Sequence, residues 1–261
     1  MPEAAEIRIM SEFVTQNSTG KNFKKLYFVE KGNIPFDQNF DSFTVECDFY
    51  GKQIQLNLKG STDMNISIFM GMSGNWKLVP TEHWSETKYT RLRMDREDGM
   101  SILLYGGYLG PKFKVGGFNT KRGFDIVKDF DKFKDNIVKN LTTKVFEKSI
   151  CEVLLDQRYF DGVGAYLCSE ILGRLDIDPF DRFNTLSKSQ LEELFNMTRY
   201  CIIEAYNYGG GELKDWQNPF GNSRLDDWIQ FYGNRRVCYR QEFGKRNIWI
   251  QKKYKKVTVL N

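Results

Sequence analysis

Apolar positions recur at mixed three- and four-residue spacings between Glu3 and Gln16 (Ile7, Ile9, Met10, Phe13, Val14). That spacing predicts an amphipathic helix, which Gly20 closes. The period then shortens. Tyr27–Glu30, Phe43–Tyr50 and Gln53–Leu58 are rich in β-formers, and Gly51-Lys52 between the last two has the form of a two-residue hairpin turn. Further strands are expected at Ile66–Met70, Trp76–Val79, Tyr89–Met94, Ser101–Tyr105 and Phe113–Val115. Short strands at such spacing read as an antiparallel sandwich or barrel.

Near Thr120 helix-length patterns take over, at Phe124–Phe133, Val145–Leu155, Ala165–Leu175 and Leu186–Tyr206. Gly209-Gly210-Gly211 interrupts them, a stretch suited to a hinge or to close backbone approach. After Asp227–Phe231, the segment Tyr239–Val259 alternates enough for a hairpin, with Gly244-Lys245 near its turn. The expected fold class is α+β. An N-terminal helix and antiparallel β domain cover 1–120, a helical domain 121–222 and a small basic β appendage 223–261.

Composition narrows the chemistry. The 261 residues contain no run of eighteen apolar positions, so no transmembrane helix is expected. Glu3 and Glu6 stand where a signal peptide needs positive charge, so an intracellular protein is expected. The five cysteines (Cys47, Cys151, Cys168, Cys201, Cys238) form no Cys-x-x-Cys pair, and His83 is the single histidine. A structural zinc needs four clustered ligands, so no metal is expected and the thiols read as reduced and mostly buried. Chemistry must then rest on carboxylates, lysine or a terminal amine. Net charge is +4, yet Gly221–Asn261 holds ten basic residues against three acidic ones, +7, which leaves −3 for the rest. Such asymmetry suits a polyanion contact at one end, as it suits a solvated basic surface.

The chain opens Met1-Pro2-Glu3. With Met1 removed, Pro2 offers a secondary amine that can attack an aldehyde-level carbon and form an iminium directly. An α-amino group titrates near 8 and lysine near 10.4, so at neutral pH the unprotonated fraction differs roughly two hundredfold. Pro2-Glu3 equally suits the first turn of an ordinary helix.

Three further segments bear on that choice. Leu154-Leu155-Asp156-Gln157 is followed by Gly162-Val163-Gly164-Ala165-Tyr166-Leu167-Cys168-Ser169-Glu170-Ile171-Leu172 and then Ile177-Asp178-Pro179. Glycines ahead of a helix leave amides at its positive end, a natural phosphate seat. Gly71-Met72-Ser73-Gly74 follows a strand and presents an unbranched apolar side chain, suited to fill the gap of an extruded base and, taken singly, better suited to the hydrophobic core. Tyr232-Gly233, the basic stretch and Gly244-Lys245-Arg246-Asn247 complete the set.

Together these resemble the Fpg/Nei family of bifunctional DNA glycosylases, in order and over essentially the whole chain. The match includes the glycines before Leu213-Lys214-Asp215. Tyr166-Leu167 and Glu170-Ile171-Leu172 look closer to the Nei-like branch. The resemblance implies a β-sandwich, a helix-two-turn-helix domain and a C-terminal zincless-finger hairpin, since Cys238 alone remains of the finger's four cysteines. It implies catalytic roles for Pro2, Glu3, Lys52 and Glu6. DNA contacts are implied at Arg246, Lys245, Met72, Gly164, Ala165 and Tyr166, and at Tyr108 and Leu109 in the void-filling loop.

The implied function is base excision of oxidised bases, oxidised pyrimidines and hydantoins favoured, by a proline Schiff base with β,δ-elimination. No cofactor is implied. The implied partner is damaged DNA, duplex and also single-stranded, met by a monomer in a DNA-containing compartment. An Fpg-like oxidised-purine enzyme and a non-catalytic damage-binding protein are the alternatives. Two departures feed the latter. Ala165 stands where the family has a phosphate-binding asparagine, and Gly107-Tyr108-Leu109 replaces an Arg-Arg-Phe loop.

Overall fold

The computed structural model describes residues 2–29, 35–85, 87–107, 109–211, 216–243 and 246–255. Met1, Tyr108, Lys245 and the Leu213-Lys214-Asp215 motif lie outside them. The described chain forms two compact units. Met1–Asn119 groups with Gly209–Arg224, and Thr120–Tyr208 groups with Leu225–Asn261. The linear reading had placed 209–222 with the helices.

The first unit begins with helix α1 (Ala4–Ser18). It is buried on more than one stripe: Ala4 to Ile7 and Ile9 to Ser11 are all covered, and Arg8 and Glu12 pair at 3.0 Å on the remaining edge. Eight strands follow: β1 (Phe23–Val29), β2 (Pro35–Tyr50), β3 (Gln53–Gly60), β4 (Met64–Phe69), β5 (Asn75–Pro80), β6 (Thr90–Arg96), β7 (Met100–Tyr105) and β8 (Lys112–Val115). All pairs are antiparallel, in the order β5-β7-β6-β1-β2-β3-β4-β8. The rings of Phe28 on β1 and Phe113 on β8 lie 5.6 Å apart although three strands separate them in the sheet. The sheet therefore folds over on itself into two layers, closed around Phe23, Leu26, Phe28, Ile54, Leu56 and Ile68.

The turn between β2 and β3 consists of Gly51 and Lys52, since Tyr50 pairs with Gln53. Gly51 has φ +55°, a conformation that glycine adopts without steric cost.

In the second unit the expected helix at Phe124–Phe133 lies later, as α2 (Phe130–Asn140). The Asp125 carboxylate accepts from the amides of Val127 and Lys128, at 2.9 and 2.8 Å, which diverts 124–129 into turns. Val145–Leu155 divides into a single 3-10 turn and α3 (Ile150–Leu154), because Ser149 and Glu152 form a capping box there. Then come α4 (Ala165–Leu175), α5 (Lys188–Asn207) and α6 (Leu225–Trp228). A hairpin of β9 (Cys238–Phe243) and β10 (Arg246–Gln251) follows. It packs on α4, where the Trp249 amide donates to Ser169 Oγ at 3.0 Å. Cys151 and Cys168 bring their sulfurs to 3.7 Å inside the helical core, and all five cysteines are free thiols. Among the described residues no helix is long and apolar enough to cross a membrane.

Candidate active site

Glu3 is the N-cap of α1, in extended backbone (φ −112°, ψ −172°). Pro2 and Glu3 are buried, Glu3 only 2% exposed. A carboxylate at that position lies at the positive end of the helix, where it is stabilised. The Glu6 carboxylate faces two backbone donors. Its Oε2 accepts from Glu3 N at 2.6 Å and its Oε1 from Gly211 N at 2.8 Å. Glu6 is fully buried, so these bonds answer the cost of burying its oxygens. The arrangement makes Glu6 a clamp between the start of α1 and a segment 205 positions later in the chain.

The glycine run is what permits that approach. Gly210 has φ +68°, and a Cβ there would lie 3.0 Å from Glu6 Oε1. Asn218 Nδ2 donates to Gly209 O at 2.8 Å and Ser223 Oγ to Gly210 O at 2.6 Å. Phe220 meets Phe13 of α1 edge-on at 5.6 Å, with Trp216 fully buried nearby in sequence. Of the two readings of the glycine run, the structure selects close approach.

Lys52 is 9% exposed. A lysine in a two-residue turn is ordinarily solvated, so its burial demands a reason. Helix α1 packs across β2 and β3, the strands that carry this turn. Next to it Gln53 Oε1 accepts from Asn119 N at 2.8 Å, and Phe118 packs on Tyr50 with ring centroids 5.8 Å apart.

Met72 and Leu109 are 54% and 57% exposed, which removes them from the hydrophobic core. They are neighbours: Met72 N donates to Leu109 O at 2.8 Å. Two large apolar side chains thus share one exposed loop cluster, where the resemblance leads one to expect a wedge. Tyr108, expected in the same loop, is outside the described residues.

The second unit holds the remaining expected contacts. Gly164 is the N-cap of α4 and Ala165 its first residue, with Gly162 at φ +110° two residues earlier. The Gln157 side chain braces this turn, donating to Leu155 O and Val163 O and accepting from Gly162 N. Arg246 Nη1 donates to Leu155 O at 2.8 Å, so this arginine at the start of β10 sits at the end of α3, beside the turns that lead into α4. Tyr166, the second residue of α4, turns its side chain inward. Its ring is 4% exposed and packs edge-on against Tyr232 at 6.2 Å, which makes it part of the core of this unit.

His83 is exposed in a 3-10 turn. Among the described residues no group of three or more histidine, cysteine or carboxylate side chains could hold a metal.

Sequence reading missed two things. One is the partner of Glu6, whose signal was the glycine run. The other is Glu170, fully buried, whose carboxylate accepts from the amides of Gln230, Phe231 and Tyr232 at 2.8–3.1 Å and pairs with Arg174 at 3.2 Å. It anchors the chain on its way to the β9–β10 hairpin.

No family model matches the chain. Mouse endonuclease 8-like 1 is 30% identical over 202 residues, 71% of this chain and 51% of the relative. The chain spans about half the length of the mouse and human endonuclease 8-like 1 proteins. Formamidopyrimidine-DNA glycosylase of Wolbachia sp. subsp. Drosophila simulans is 27% identical over 235 residues, 85% of this chain and 84% of the relative. The crystal structure of MutM (Fpg) from Thermus thermophilus superposes with a TM-score of 0.78 at 17% identity, covering 97% of this chain and 98% of that one. The Lactococcus lactis Fpg in complex with abasic-site DNA gives 0.77 at 16% identity, covering 98% and 100%. Sequence relatives and fold point the same way and support the Fpg/Nei family.

Proposed function

We propose that this protein is a bifunctional DNA glycosylase and AP lyase of base excision repair. The observation that carries the reading is the buried start of α1, with Pro2 ahead of the N-cap Glu3 and the clamped Glu6. An ordinary helix start has no need of a carboxylate fixed by an amide from so distant a segment.

Once Met1 is removed, the Pro2 amine attacks C1′ as the damaged base departs with the glycosidic electron pair and takes up a proton. The amine then loses its proton and the C1′–O4′ bond opens, O4′ taking up a proton, which leaves an iminium that acidifies the C2′ proton. Loss of that proton breaks the C3′–O bond, and a second elimination breaks the C5′–O bond, leaving a one-nucleotide gap. Glu3 is positioned to move protons at the sugar and to stabilise the cationic iminium. Lys52 supplies positive charge for the phosphate or the leaving oxygen, and Glu6 holds the loop at Gly211 against α1.

Arg246 suits a backbone phosphate, because a planar guanidinium binds phosphate oxygens bidentately. The amides at the start of α4 suit a second phosphate. Oxidised pyrimidines and hydantoins are the preferred lesions, a preference that rests on the Nei-like residues Tyr166-Leu167 and Glu170-Ile171-Leu172. Damaged DNA, duplex or single-stranded, is the partner. The protein acts as a monomer, without metal, in a DNA-containing compartment.

Borohydride reduction tests the reading. Protein with a mass showing loss of Met1 should be trapped covalently on DNA containing an abasic site, and a variant carrying an extra residue ahead of Pro2 should not. No adduct from the processed protein sinks the lyase assignment. A panel with thymine glycol, 5-hydroxyuracil, hydantoins and 8-oxoguanine assigns the lesion, and preference for 8-oxoguanine opposite cytosine would favour the Fpg-like alternative.

A further inference from the structure

Strand β6 carries one residue more than its partner β7 at the end near the wedge. Thr90 pairs with Tyr105 and Leu92 with Leu104, so Arg91 is the extra residue of a bulge. A bulge breaks the alternation of side chains and re-aims the residue it carries. Arg91 reaches the exit of β7, where Nε donates to Gly106 O at 3.0 Å and Nη2 to Gly107 O at 3.1 Å.

Those two carbonyls open the loop that presents Leu109. The loop is built on Gly106, Gly107 and Gly110, which contribute no side chains to hold it. It is also tight: a Cβ on Gly106 would fall 2.2 Å from Pro111 Cδ, and one on Gly110 would fall 2.8 Å from Gly107 O. Four further bonds frame it: Gly106 N to Tyr89 O at 2.8 Å, Gly107 N to Ser73 Oγ at 3.3 Å, Gly110 N to Gly107 O at 2.9 Å and Met72 N to Leu109 O at 2.8 Å. Among the described residues that make these bonds, Arg91 alone is charged. A planar fork across consecutive carbonyls fixes the peptide orientation as an ammonium cannot.

We propose that Arg91 is the positioning residue of the wedge: it holds Gly106 and Gly107 so that Leu109 is preset to enter DNA, and it thereby sets the preference for duplex over single-stranded substrate. The proposal rests on the glycosylase reading above. A lesion extruded from a duplex leaves a gap that a wedge must fill, whereas a single strand leaves none. The residue lies on a strand, outside the loop whose sequence lacks an arginine.

A double-mutant cycle tests it, with single-turnover excision measured on duplex and single-stranded oligomers of one sequence. Arg91→Ala and Leu109→Ala should each slow duplex excision at least tenfold and leave single-strand excision within twofold. The double variant should be no slower than Leu109→Ala, since both changes remove one wedge. Arg91→Lys should recover less than half of the loss. Additive losses, or equal loss on single strands, overturn the proposal.

Hydrogen exchange in the free protein supplies a readout independent of activity. The Met72 and Gly110 amides should exchange at least tenfold faster in Arg91→Ala while α1 is unchanged, and unaltered exchange also overturns it. If wild-type protein excises nothing although exchange responds as expected, the glycosylase reading and the duplex preference fail together, and only the bracing stands.

Discussion

The Met72 amide donates to the Leu109 carbonyl at 2.8 Å, tying together two apolar side chains that both project from the surface. Gly71 makes the bond possible. It has φ +63°, and a Cβ there would stand 2.4 Å from Leu109 O. Gly71→Ala should therefore displace both wedge residues at once, with a backbone strain of about 1–3 kcal/mol. Met72→Ala removes one wedge and leaves the loop intact. Excision from duplex should fall further in Gly71→Ala than in Met72→Ala, and thermal unfolding should show lower stability in the glycine variant alone. Equal Tm values for the two variants would falsify the strain argument.

Glu6→Gln keeps the size of the side chain but turns one acceptor into a donor. It would face either Glu3 N or Gly211 N with an N–H group. Leaving one buried amide unsatisfied costs about 1–3 kcal/mol. The expected result is a Tm lowered by several degrees together with weaker borohydride trapping. Gly210→Ala should do likewise, because it combines φ +68° with a contact on the same carboxylate. A Glu6→Gln protein with unchanged Tm would mean that the clamp contributes little to the fold.

Ala165→Asn should tighten binding. Ala165 is the first residue of α4, where an amide side chain can reach a phosphate that the alanine methyl cannot. One added hydrogen bond is worth about 1 kcal/mol, so the Kd for abasic-site DNA should fall several-fold. The salt dependence should stay as it is, since the new group is neutral. An unchanged Kd would indicate that backbone amides already satisfy that phosphate.

The thiols should be slow to react. Burial pushes the Cys201 thiol up to about 12 and Cys238 up to about 11, against an ordinary value of 9.0. The thiolate is the nucleophile, so at pH 8 Cys238 should resist alkylation about a hundredfold, and Cys201 about a thousandfold, more than a free thiol. The unfolded chain ionises first. Stability from these groups is therefore complete below pH 9 and lost as pH rises from 9 towards 12. Intact-mass labelling of native protein, and Tm against pH, check both statements. Cys238→Ser should leave DNA affinity and chelator resistance as they are if the finger stands without zinc.

Sequence periodicity located the elements best where one residue type decided the local structure. Helix α4 begins and ends where Ala165–Leu175 was expected, with Gly164 as its N-cap and Asp176, left-handed at φ +56°, as its C-cap. Gly51-Lys52 likewise gave the hairpin turn. The reading failed at Phe124–Phe133, where apolar spacing continued through a segment that Asp125 holds in turns. A short side chain competing for backbone amides outweighed the period.

The family resemblance, the β-rich first half, the helical middle and the candidate chemistry of Pro2, Glu3, Lys52 and Arg246 all follow from local residue types and their order, and so the chain alone determined them. Burial and partnership are relations between distant segments, which no window of sequence contains. Only the tertiary structure decided that the turn lysine is buried, that Tyr166 belongs to the core, that Glu6 grips Gly211, and that a bulge turns Arg91 onto the wedge loop. Each of these needs two elements folded against each other before the hydrogen bond or the exclusion of water exists.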